Sequence, residues 1–122
     1  MTVRDAARAQ AAGRVVIGAA LTLAPALAGR GWIGEEASQP GTQAILRALG
    51  IRDLILGALT LHVVDRPGVG PRTIATCAVA DVVDFAGTLA VRDQLPAAAA
   101  NGTLAIAGGS AIAGLALAAA LS

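Results

Sequence analysis

Apolar residues run along the chain in four long stretches, separated by short connections rich in Pro, Gly and charged residues. A helix needs about 20 mainly apolar residues to cross the ~30 Å hydrocarbon core of a bilayer. The pattern therefore predicts four membrane-spanning helices, at about 12–29, 42–64, 71–91 and 101–121. In the first, the uncharged run 15–28 lies between Arg14 and Arg30, both expected to snorkel to the headgroups. Pro25 is expected to kink its outer end, and Pro71 suits the first turn of the third helix. The fourth stretch carries no charge from Gln94 to Ser122. Two rows of small residues, Ala105, Gly109, Ala113 and Ser110, Gly114, Ala118, would let helix backbones approach, although a general Ala and Gly bias gives the same pattern.

The connections are polar: 30–41 carries Trp32 with the pair Glu35 and Glu36, 65–71 is a Pro/Gly turn, and a third precedes the last stretch. Trp32 would suit the membrane interface. Arg4, Arg8, Arg14, Arg66 and Arg72 fall on one side, against Arg30 and Arg92 on the other. The positive-inside rule then places both termini in the cytoplasm and the protein, as one multi-pass integral domain, in the plasma membrane. A rival reading of the first stretch is a secretory signal, with Arg residues, an apolar run and Ala26, Leu27, Ala28 as a cleavage site.

Composition supports the membrane reading and excludes other classes. The 122 residues are 56% hydrophobic and 14% charged, with mean hydropathy +0.70, against about 45–50% and 25% in soluble domains. All nine cations are Arg and about a quarter of the residues are Ala, as in a high-GC coding bias. A net charge of +1 leaves no basic face for nucleic acid. Cys77 stands alone, so no intrachain disulfide forms, and one His with one Cys makes no ordinary zinc site. No nucleotide loop or nucleophile motif appears, and neither a metal nor a cofactor is called for.

The informative exceptions are charges inside apolar stretches. Arg52 and Asp53 interrupt the second, and Asp81 and Asp84 the third. A charge near the centre of a bilayer costs about 2.5–3.5 kcal/mol on translocon scales and persists mainly where it is paired and useful. Entering from opposite faces, the two helices carry Arg52 and Asp53 about 15–17 Å deep and Asp81 and Asp84 about 15–20 Å deep, one slab near the midplane. Asp81 and Asp84, three apart, share a helix face. Three acids against one Arg are expected to keep at least one Asp protonated near neutral pH, the condition for general acid catalysis or proton coupling. A static ion-pair network that fixes helix register is the competing reading.

Arg47, one turn nearer the outer face, is placed to contact a substrate or a lipid phosphate, or simply to snorkel. His62, near the inner end, is placed to relay protons or to sit at the interface. The segments 14–23 and 52–61 agree at six of ten positions, a similarity that chance readily produces in an Ala- and Leu-rich chain.

Gly50, Arg52, Asp53 and Gly57, in GIRDLILG, resemble the signature of a family of short four-helix membrane proteins of actinobacteria and some fungi. The resemblance implies the same four-span layout, with Arg-Asp in the second helix and acids in the third. It implies no reaction.

The sequence thus predicts an all-α four-transmembrane-helix bundle with Arg52, Asp53, Asp81 and Asp84 as candidate catalytic residues and Arg47 and His62 as candidate substrate contacts. The expected activity is cofactor-independent acid–base chemistry, an isomerase or cyclase acting on a lipid or lipophilic small molecule. The alternatives are a proton-coupled transporter or channel, which needs a homo-oligomer, and an accessory subunit of a larger membrane complex.

Overall fold

The computed structural model describes every residue from Met1 to Ser122 and is built of helices alone. Helix α1 is Val3–Leu23, α2 Pro25–Ile33, α3 Pro40–Val63, α4 Val69–Ala90 and α5 Ala97–Leu121, with 3-10 turns at Gly34–Ser38 and Arg92–Gln94. The start of α1 is set by a capping box. The Thr2 hydroxyl accepts from the Asp5 N–H at 3.1 Å, and the Asp5 carboxylate accepts from the Thr2 N–H at 2.9 Å, satisfying two donors that a helix N-terminus leaves free.

The last three expected segments match α3, α4 and α5 to within a few residues, but the first is broken into two helices. Pro25 lacks an N–H and disfavours helical backbone at the residue before it. Ala24 accordingly leaves the helix at φ −137° and ψ 65°, and the chain bends by 114°. Helix α1 therefore occupies 3–23, while α2 turns across the end of the bundle. Two helices, α4 and α5, are long and apolar enough to cross a membrane, and the bent α1–α2 segment makes a third if counted as one span. Helix α3 is long enough, but Arg47, Arg52 and Asp53 keep it outside that class. The helices thus provide two or three membrane-crossing candidates where the apolar pattern predicts four.

The long helices pack mainly as two pairs, α1 with α3 and α4 with α5. Helices α1 and α3 run antiparallel and touch backbone to backbone at Gly18, Gly50 and Gly57. A Cβ on Gly50 would lie 2.7 Å from the Gly18 carbonyl oxygen, and one on Gly57 2.7 Å from that of Ala11. Small residues permit this approach. In the other pair Gly114 fits against Ala78 and Gly108 against the Phe85 ring. Of the two small-residue rows on α5, only Ser110, Gly114 and Ala118 turns inward; Ala105, Gly109 and Ala113 face out.

Apolar clusters close both ends of the bundle. Ala7, Val64, Ile74 and Ala118 meet at one, and Leu21, Ala37 and Leu46 at the other. Both termini lie at the first end, where the Arg8 guanidinium holds the Asp65 carboxylate at 2.6 and 2.7 Å. Large apolar side chains point outward along all the long helices, among them Val16, Ile45, Val83 and Ile112. A water-soluble bundle turns such residues inward.

Candidate functional site: a buried ion-pair chain beside a cavity

Midway between the two apolar clusters, five charged side chains form an alternating chain. Helix geometry puts each of them in the central turns of its helix: Arg14 on α1, Arg52 and Asp53 on α3, Asp81 and Asp84 on α4. The Arg52 guanidinium binds Asp84 in a bidentate pair, Nη2 to Oδ2 at 2.7 Å and Nη1 to Oδ1 at 3.1 Å. It also donates to Asp53 Oδ1 from Nη2 at 3.0 Å and from Nε at 3.3 Å. The same Asp53 oxygen accepts from Arg14 Nη1 at 3.4 Å, and Arg14 Nη2 reaches Asp81 Oδ2 at 2.6 Å. The order Asp81, Arg14, Asp53, Arg52, Asp84 therefore alternates in sign along its length and ties the α1/α3 pair to α4.

Helix α5 supplies the polar end of the chain. The Ser110 hydroxyl donates to Asp81 Oδ2 at 2.9 Å, and Gln10 Nε2 donates to the Ser110 hydroxyl at 3.0 Å and its carbonyl at 2.9 Å. Every fully buried side-chain nitrogen and oxygen has a partner, as a low-dielectric interior demands. Two carboxylate oxygens nevertheless accept no hydrogen bond from the chain: Asp81 Oδ1 and Asp53 Oδ2. They are not fully buried.

Asp81, Asp53, Asp84 and Arg14 all line a cavity of about 430 Å³ between α1, α2, α4 and α5. This is within the roughly 300–1,000 Å³ of small-molecule sites. Its remaining wall is mostly apolar, with Ile17, Leu21, Ala28, Ile106 and Ala107. Trp32, on the cross-lying α2, contributes to the wall as well, and its indole Nε1 donates to the Thr88 hydroxyl at 2.9 Å. Trp32 is thus half-buried, with its indole turned toward α4. It also borders a second cavity of about 300 Å³ between α3 and α4, as does Asp84. Trp32→Phe is expected to cost about 1 kcal/mol, the net worth of one hydrogen bond; thermal unfolding of the variant in detergent measures it.

The structure brings together all four residues expected at the site and adds one that the apolar pattern assigned elsewhere. Arg14 does not snorkel. Because α1 starts at Val3, Arg14 lies eleven residues along it, about 17 Å at 1.5 Å per residue, and its side chain is only 8% exposed. The charge count changes with it, to three carboxylates against two guanidiniums, so the excess is one negative charge and not two. The signal was present in the partial repeat, where Arg14 and Arg52 are the paired first positions; both prove to bind carboxylates of α4.

Arg47 and His62 stand apart from the cavity. The exposed Arg47 donates from Nε to the Thr22 carbonyl at 3.3 Å, satisfying one of the acceptors left free in the last turn of α1. His62, also exposed, has its Nε2 3.3 Å from Arg66 Nη2 in the turn after α3. Neither contacts the ion-pair chain; Gln10, Ile17, Trp32 and Ser110 are the residues that line the cavity beside it. Cys77 is buried, with its sulfur 3.5 Å from the Thr60 hydroxyl, and takes no part in the site.

No family model, curated protein or solved structure matches this chain.

Proposed function

We propose that the protein is a multi-pass membrane protein that holds a lipophilic molecule in the α1/α4/α5 cavity and carries out acid–base chemistry on it, of the isomerase or cyclase kind. One observation carries the reading: Asp81 and Asp53, each with a free oxygen and both held by the buried Arg14 guanidinium, line a mostly apolar cavity of small-molecule size. The outward-facing apolar side chains support a lipid surround. In it α3 becomes the fourth span, since its central charges are matched by partners from α1 and α4. The Arg-rich end with both termini is then cytoplasmic.

The roles within the chain follow from the hydrogen bonds. Asp84, bidentate on Arg52, has no oxygen left for a substrate and positions Arg52. Asp81 keeps Oδ1 free and Asp53 keeps Oδ2 free, so these two are the groups that pass protons to and from a bound molecule. An isomerisation or cyclisation takes a proton from one carbon and adds one at another; a carboxylate that accepts the first proton and returns it at the second carbon ends ionised as it began, with no net change. Arg14 and Ser110 both donate to Asp81 Oδ2, which holds the carboxylate in place and leaves Oδ1 open to the cavity.

The test is to compare lipid extracts of cells producing the wild type with extracts from cells producing Asp81→Asn, and to identify the molecule that co-purifies with each protein. Asp81→Asn is expected to convert the molecule at least about a hundredfold more slowly, the lower end of general acid–base contributions. Unchanged conversion by both Asp81→Asn and Asp53→Asn rejects the enzymatic reading. A molecule recovered unaltered from wild type, with passage across vesicles that depends on Asp81, would replace it with transport.

A further inference from the structure

We propose that the molecule held in this cavity carries a cationic nitrogen on its lipophilic body, an ammonium group seated against Asp81 and Asp53. The inference rests on the cavity being a binding site for a lipophilic molecule and concerns the polar end of that molecule.

The charge balance of the site points to the cation. Arg14 and Arg52 are each already flanked by two carboxylates, so neither offers an uncommitted positive charge to an anionic headgroup. Three carboxylates against two guanidiniums leave one negative charge without a counter-charge inside the helix bundle. An anion would add to that excess in a medium where like charges repel strongly. A monocation brings the balance to three against three. The unfilled acceptor positions are on carboxylates, Asp81 Oδ1 and Asp53 Oδ2, and both residues line the cavity. Among the neutral polar groups, the Gln10 amide N–H and the Ser110 hydroxyl are already engaged, Gln10 donating to Ser110 and Ser110 to Asp81, while Thr103 on the cavity wall offers only an uncharged hydroxyl. A hydroxyl or ester headgroup would find carboxylate acceptors but no matching charge.

Trp32 adds an independent feature of the same sign. Its indole borders the cavity at the α2 end, in a wall otherwise built from aliphatic side chains and small residues. An indole face attracts ammonium groups, with an energy that rises as the pair is desolvated. Carboxylates and an indole around an apolar chamber fit a hydrophobic ammonium compound, either a protonated amine or a quaternary salt.

The chain contains its own reporter, because Trp32 is the sole Trp and there is no Tyr. Full-length protein in zwitterionic-lipid nanodiscs is titrated with dodecyltrimethylammonium, dodecanol or dodecyl sulfate while Trp32 emission is followed. The ammonium probe is expected to produce a saturable change at concentrations at least about tenfold below those needed for the alcohol, with the sulfate weakest. Asp81→Asn and Asp53→Asn are each expected to bring the ammonium-to-alcohol ratio close to one while leaving the alcohol response in place. Ala107→Phe, which fills the cavity, is expected to abolish the saturable response to every probe.

Equal or tighter binding of the alcohol by the wild type overturns the cationic inference and leaves the lipophilic site standing. A response that survives Ala107→Phe shows binding elsewhere and overturns it too. A wild type that responds saturably to none of the three probes removes the lipophilic site along with the inference.

Discussion

Arg14→Ala is expected to be the most damaging of the single substitutions considered, destabilising the protein by about 3–5 kcal/mol, the range for removing one partner of a buried ion pair. The side chains of Arg14 and Asp81 are 8% and 9% exposed, so water replaces the lost guanidinium poorly. Asp81 Oδ2 would retain only the Ser110 hydroxyl, and Asp53 would keep Arg52 alone. Thermal unfolding in detergent, followed by far-UV circular dichroism, measures the loss. The cost lies in the stranded charge more than in the missing attraction. A paired change of Arg14→Met with Asp81→Leu is therefore expected to recover most of the stability while abolishing any chemistry at the site. By contrast, Arg47→Ala, at an exposed position, is expected to stay within about 0.5 kcal/mol of wild type. Equal melting of the Arg14 and Arg47 variants would show that Arg14 is not the buried centre of the chain of charges.

Gly50→Ala is the second large effect, at about 3 kcal/mol, the upper part of the usual range for overpacking. The added methyl would sit 2.7 Å from both the Gly18 carbonyl oxygen and the Thr22 nitrogen. Those atoms are backbone, so the only relief is to move α3 away from α1. That movement also displaces Arg52 and Asp53 from Arg14, so binding in the cavity should weaken together with stability. Gly109→Ala is the control, because nothing lies within 4 Å of its added carbon. Denaturation in mixed detergent micelles separates the two variants, and a Gly50→Ala protein as stable as Gly109→Ala would mean that α1 and α3 do not touch at this point.

The charged core was legible in the sequence only in part, and the reason is geometric. Arg52, Asp53, Asp81 and Asp84 lie far from both ends of their apolar stretches, so simple depth along a helix brings them to one level. Arg14 was hidden by a boundary. An apolar stretch read from residue 12 places Arg14 at its edge, where a long side chain reaches water; the helix that starts at Val3 places it in the middle. The residues before 12 are polar enough to look like a tail, yet the Thr2–Asp5 capping box and the Arg8–Asp65 pair hold them helical. The sharp turn at Ala24 was visible as Pro25, but its size was not. A proline permits anything from a slight kink to a reversal, and the outcome here is tied to contacts that no local pattern encodes, such as Trp32 with Thr88. Arg47 and His62 are the converse case: both are polar residues toward helix ends, and the structure places them away from the cavity, one on a free carbonyl and the other in an exposed turn.

The division into two helix pairs bears on the order in which the chain is made. Helices α4 and α5 are neighbours in sequence, whereas α1 finds α3 only after α2 and the following turn have been passed. During synthesis the residues with positive charge at mid-helix, Arg14 and Arg52, emerge well before Asp81 and Asp84, their partners on α4. Until α4 arrives, Asp53 is the only acid in the chain of charges available to both. In a bilayer this makes the early helices poor residents by themselves and the late hairpin the part that secures them. In the proposed membrane setting, retention of the first half of the protein is then decided by the second.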